Sequence, residues 1–91
     1  MERRKGMKKV ELPLTALRDG ESGIITSIGH GQGRGGWGFR KRLMDMGLTP
    51  GTRVTVVKSA PFHGPLEVLV RGFRLALGRG MAERVFVEIT E

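Results

Sequence analysis

In a 91-residue chain with no cysteine, histidine is the first place to look for chemistry, and there are two, His30 and His63. Imidazole suits first-row transition metals, which accept it together with carboxylate and leave positions for water. His30, His63 and an acid from a folded neighbour are therefore the candidate ligands of a transition metal ion. Nothing in their spacing requires the two to converge, whereas two copies of the chain would double the ligand count. A metal bridging a homodimer is thus the stronger form of this reading. Met44, Met46 and Met81 also offer sulfur, but methionine at helical spacing is packing before it is ligation.

The second set is electrostatic. Arg40-Lys41-Arg42 and Asp45 surround an apolar helical stripe, and Trp37 stands just ahead of them. Such a face either is simply solvated or docks on an acidic partner, with tryptophan as an anchor of the kind enriched in interface hot spots. The bland alternative for Trp37 is a lid over the end of the fold beside Phe39. Arg34-Gly35-Gly36-Trp37 also resembles a fragment of an RNA-binding segment, in which arginine and an aromatic ring stack on bases, but it occurs once. Gly31-Gln32-Gly33-Arg34-Gly35-Gly36 matches G-x-G-x-x-G by letter; that fingerprint works only inside a βαβ unit, and none fits here. With no cysteine nucleophile, no evident Ser-His-acid set and no carboxylate pair around a pocket, the chain reads as a binding protein and not an enzyme.

The net charge is +7, and its location decides what it means. Residues 1–9 carry five basic side chains against Glu2, a net +4, which leaves +3 of the +7 for residues 10–91. The sequence therefore divides into a basic flexible tail, 1–9, and a single domain, 10–91. Binding of nucleic acid through the tail and loops is the alternative function, and the modest charge of the domain argues against it. No apolar run approaches the roughly 20 residues that span a bilayer, so the expected location is cytoplasmic with no direct membrane insertion.

The elements that must position these groups follow from periodicity. Phe39, Leu43 and Met46 recur at i, i+4, i+7, the signature of one buried helical face. Gly47 follows where a helix turns left-handed, and Leu48 falls where an apolar residue folds back on the last turn. Pro50-Gly51 has the order of a type II turn, and a strand over residues 52–58 starts at once. Upstream, residues 10–14 form a short extended piece that Pro13 confines to an edge. A single turn at 15–17 precedes Asp19-Gly20, and Ser22–Ile28 makes a strand with Ile24, Thr26 and Ile28 on one face and Ile25 on the other. The glycine-rich residues 29–38 read as a loop. Downstream, Leu66–Val70 and Phe73–Leu77 alternate around Arg71-Gly72 and read as a hairpin, with Leu66, Val68, Val70, Phe73, Leu75 and Leu77 inward. A short connection at 78–83 leads to a last strand over 84–89. About five short strands with one helix inserted before the middle strands make a mainly β fold, a small closed barrel.

These positions carry a resemblance. Leu14-x-x-Leu17-x-x-Gly20, Gly23-x-Ile25-x-x-Ile28, Arg42-Leu43-x-x-Met46-Gly47-Leu48-x-Pro50-Gly51, Ala60-Pro61, Gly64-Pro65, Val70-Arg71-Gly72 and Leu75-Ala76-Leu77 resemble the FeoA family over nearly everything but the tail. The resemblance implies an SH3-like barrel acting as a cytoplasmic accessory of the prokaryotic ferrous iron transporter FeoB, a membrane protein with a cytoplasmic GTPase domain. It implies docking on that domain, for which the helix-face residues Arg40, Lys41 and Asp45 with Trp37 beside them are the candidates, and it points to Fe2+, or an adventitious Zn2+, as the ion that His30 and His63 would hold. Leu43, Met46, Gly47, Leu48, Pro50 and Gly51 form the structural motif. A longer glycine tract and the sequence Phe62-His63-Gly64-Pro65 depart from the family pattern.

Overall fold

The computed structural model describes residues 8–29 and 36–90. The first seven residues, residues 30–35 and Glu91 lie outside it. The described residues form six strands: β1 (Lys9–Pro13), β2 (Ser22–Ile28), β3 (Arg53–Ser59), β4 (Leu66–Val70), β5 (Phe73–Leu77) and β6 (Val85–Thr90). A 3-10 turn at Leu14–Ala16 follows β1, helix α1 (Gly36–Asp45) precedes β3, and the short helix α2 (Arg79–Ala82) precedes β6. All neighbouring strands are antiparallel, in the order β1-β6-β2-β3-β4-β5. The fold is mainly β, as expected.

Laid flat, six strands at about 4.8 Å spacing would separate the first from the last by about 24 Å. Yet Leu12 of β1 and Leu75 of β5 both pack against one core cluster that also holds Ile25, Val54, Val68 and Val87. The sheet is therefore curled around its own inner face. It is not closed by a hydrogen-bonded seam, because β1 and β5 stand at the two ends of the order. Pro13 lies in the edge strand, where a missing N–H is tolerated. Fifteen apolar residues make up the buried core, and no polar residue is buried among the described residues.

Alternation holds in β4, where Leu66, Val68 and Val70 are buried, but needs correction elsewhere. In β2 the pairing with β6 shifts between Ile25 and Ser27, so Thr26 is an extra residue that resets the phase. Ile25 and Ile28 both turn inward, and Ile24, expected to share a face with Ile28, is 40% exposed. In β5 Phe73, expected in the core, is 71% exposed: it lies at the start of the last strand of the order, which no further strand flanks among the described residues. Helix α1 starts at Gly36, so the last three residues of the expected glycine loop are helical.

Candidate docking site

The chemistry-bearing residues of α1 are positioned by the way the helix ends. Leu43 is fully buried, and Phe39 and Met46 pack partly buried against the same core, so one stripe of the helix is fixed. At the C-terminus the Leu48 N–H donates to the Leu43 carbonyl at 3.0 Å, and the Gly47 N–H donates to the Met44 carbonyl at 3.0 Å. These two bonds define a Schellman motif, with Gly47 in the left-handed position at φ 99°. Leu48, fully buried, lies with Leu43 in the core, as the motif's apolar contact requires. The chain then turns: the Thr52 N–H donates to the Thr49 carbonyl at 3.1 Å around Pro50 and Gly51, and Gly51 has φ 91°. This is a type II turn. It hands the backbone to β2, since the Ile25 N–H donates to the Thr52 carbonyl and the Gly51 N–H to the Ile25 carbonyl.

A residue the sequence did not single out ties this corner together. Arg71 sits at φ 52° and Gly72 at φ 84° in the two-residue turn joining β4 to β5. Two consecutive positive φ values make this a type I′ hairpin. From there the Arg71 guanidinium reaches across to the Thr52 hydroxyl at 3.3 Å and the Thr49 hydroxyl at 3.5 Å. Its aliphatic stem would lie 3.5 Å from a Cβ placed on Gly47. The hint in the sequence was a bulky cation, not asparagine, ahead of the turn glycine.

The outward face of α1 gathers Arg40, Lys41, Met44 and Asp45 around one shallow groove. Lys41 and Asp45 are largely occupied with each other, at 3.1 Å in an exposed i,i+4 ion pair. Such a pair stabilises a helix by only about 0.3–0.5 kcal/mol. Arg40 is different: it is half-buried, and its Nε is buried without an acceptor among the described residues. A donor of that kind costs about 1–3 kcal/mol until something accepts from it. Arg42 is exposed and Met44 is 40% exposed beside it. Behind the helix, the Arg84 guanidinium stacks 5.2 Å from the centre of the Phe39 ring. Residue 37 occupies the first turn of α1, so it is part of the helix and not of the preceding loop.

Of the two histidines, one lies among the described residues. His63 lies exposed on the β3–β4 loop at φ 60°, and His30 falls outside the described residues. Among the described residues no three His, Asp or Glu side chains converge as a metal site would require. His63 alone does not make a metal centre. No helix among the described residues is long and apolar enough to cross a membrane.

A family model for the FeoA domain matches residues 12–89 of this chain. A candidate Fe(2+) transport protein A of Methanocaldococcus jannaschii is 32% identical over 79 residues, covering 87% of this chain and 88% of that protein. A fusion protein of Fe(2+) transport protein A and Fe(2+) transporter FeoB from Porphyromonas gingivalis is 33% identical over 76 residues, 84% of this chain and 8% of the fusion. Among solved structures, an iron uptake regulatory protein (FeoA) superposes with TM-score 0.73 at 38% identity, over 86% of this chain and 96% of that one. The FeoA of Stenotrophomonas maltophilia, a prokaryotic SH3 domain protein complexed with zinc, superposes with TM-score 0.70 at 29% identity, over 81% of this chain and 86% of that one.

Proposed function

The chain belongs to the FeoA family, and from that premise we propose that it is a binding module of a ferrous iron transport system. It docks through the outward face of α1 on the cytoplasmic, GTPase-bearing part of FeoB and modulates iron uptake. The observation that carries the partner is the Porphyromonas gingivalis fusion, in which a similar chain and FeoB share one polypeptide. Linkage of that kind raises the effective concentration of two modules to the millimolar range, which helps only modules that meet. Arg40 carries the surface: its guanidinium lines the groove, with an Nε that has no acceptor among the described residues, so its charge is available to a partner carboxylate, and the half-exposed Met44 beside it supplies apolar area.

The test is titration of this chain against the isolated cytoplasmic domain of FeoB, with and without guanine nucleotide. Saturable binding is expected, and Arg40→Glu with Lys41→Glu should weaken it at least about tenfold, because both substitutions put acid where acid is to be bound. Unaltered affinity in the double variant removes the α1 face from the proposal. Absence of binding in every nucleotide state, with ferrous uptake unchanged on deletion of this chain, removes the function itself.

A further inference from the structure

The inner face of the sheet is unfinished at β5. Phe73 pairs with Val70, Leu75 with Val68 and Leu77 with Leu66, so Phe73, Leu75 and Leu77 share the face that is core on β4. Leu77 is buried, Leu75 half-buried and Phe73 is 71% exposed. Burial thus fails along β5 toward its start, while the facing residues of β4 are fully covered. Among the described residues no strand lies beyond β5.

The backbone is available there as well. In a hairpin with a two-residue turn the flanking pair exchanges both ladder bonds, and hydrogen-bonded and non-bonded pairs then alternate. The Val70–Phe73 and Val68–Leu75 pairs are therefore the bonded ones, and the N–H and C=O groups of Arg74 and Ala76 point away from β4. The opposite edge, β1, is blunted by Pro13 and by Lys9 and Glu11, whereas β5 has neither proline nor bulge. Beside β5 opens a cleft of 520 Å³ whose apolar wall includes Pro61, Pro65 and Leu75 and whose charged wall is Lys58, Arg74 and Glu67.

Charge selects the occupant. Arg74 stands on the outer face of β5, Arg71 just before the strand and Arg79 just after it. Arg71 donates to threonine hydroxyls and Arg79 to the Gly64 carbonyl, acceptors that leave their charges in place. Among the described residues only Arg74 of these three meets a carboxylate, Glu67 at 3.1 Å, with both side chains exposed. A second copy of β5, antiparallel and centred on Leu75, would set Arg71 opposite Arg79 and the two Arg74 side chains on the short diagonal. Like charges so placed oppose pairing.

We infer that the free edge of β5 takes an extended acidic peptide segment as a seventh strand, its apolar side chains covering Phe73 and Leu75 and its alternate carboxylates on the outer face beside Arg74, with the positive charges of Arg71 and Arg79 near its two ends. Main-chain bonds to Arg74 and Ala76 supply the affinity, and the alternation supplies the selectivity. This surface is separate from the α1 face and stands whether or not the FeoB reading does, since the test uses this chain alone.

The probe is a blocked seven-residue peptide of alternating valine and glutamate, titrated into the isotopically labelled full chain and followed by amide resonances. Shifts centred on β5 are expected, with hydrogen exchange at Arg74 and Ala76 slowed at least tenfold. Ala76→Pro removes an edge-facing N–H that β4 does not use, so the fold is kept and affinity should fall at least tenfold. The same peptide carrying N-methyl groups on its β5-facing amides should lose affinity equally, a check independent of how the protein variant folds. No binding, shifts centred elsewhere, equal binding of an alternating valine-lysine peptide, or indifference to N-methylation would each overturn the inference. Self-association of the chain through β5 in place of peptide binding would do so too.

Discussion

Gly47 shows which of two effects governs a single position. Its φ is 99°, and the space around it is ordinary, with Arg71 Cδ 3.5 Å from the site of a Cβ. A left-handed conformation costs an L-residue about 1–2 kcal/mol. Backbone strain, not collision, therefore sets the penalty. Gly47→Ala should lower stability by about 1–2 kcal/mol and Gly47→Val by somewhat more, because β-branching narrows the choices further. In a domain of this size each kcal/mol moves the melting temperature by about 4–8 °C. A thermal melt unchanged in Gly47→Ala would mean that the left-handed cap is not what ends α1. Arg71→Ala is the contrast, since its bonds to Thr49 at 3.5 Å and Thr52 at 3.3 Å are long and exposed. Truncation there should cost under about 1 kcal/mol.

At the scale of elements, the β3–β4 loop stores more strain than its neighbour hairpin, with two non-glycine residues at positive φ against one. Both hairpins turn through consecutive left-handed residues, but β4–β5 uses Arg71-Gly72 while β3–β4 uses Phe62 at φ 59° and His63 at φ 60°. The turn is closed by the Gly64 N–H on the Pro61 carbonyl at 3.1 Å, and Phe62 is 96% exposed, so packing does not compensate. Replacing Phe62-His63 by Asn-Gly, the pair such a turn prefers, should raise stability by about 1 kcal/mol or more, read as a higher urea midpoint at an unchanged slope. A lower midpoint would show that Phe62 or His63 makes a contact that outweighs the strain. What the sequence made legible follows the same division. The helix stop, the type II turn, the β4–β5 hairpin and the inward face of β4 depend on neighbours within a few residues, and periodicity and turn chemistry expose those. The bulge at Thr26, the exposure of Phe73 and the reach of Arg71 to Thr49 depend on which strand lies beside which. Local pattern carries no record of that order. The start of α1 was hidden for another reason: glycine at 36 and 38 argues against helix locally, and the helix forms there regardless. Of the proposed docking residues, Arg40, Lys41 and the i,i+4 relation of Lys41 to Asp45 are local to the helix, but the burial of the Arg40 Nε required the fold.

At the scale of the molecule, the decisive feature is that β6 lies between β1 and β2. The last strand is thus an interior strand, and Lys9 is paired with Thr90, so the two ends of the described chain leave the sheet side by side. A topology of this kind can be joined with little loss at one place, and the places where it can be cut differ sharply. Joining residues 8 and 90 by a short linker spans a gap that the ladder already holds closed, and loop closure of a few residues adds little. Opening the chain between Phe62 and His63 cuts an exposed, strained turn outside the core, and new termini are tolerated best at such tips. Opening it between Gly47 and Leu48 severs the Leu48 to Leu43 bond and frees a fully buried leucine, in a core of only fifteen residues. Releasing such a side chain costs about 2–5 kcal/mol, a large part of the roughly 5–15 kcal/mol that holds a domain folded. The first permutant should therefore unfold cooperatively at nearly the wild-type urea concentration and keep the proposed affinity for the cytoplasmic domain of FeoB. The second should lose most of its stability. Equal stability of the two would show that the corner of α1, Gly47 and Leu48 does not organise the fold, and the docking face on α1 would then have no rigid support.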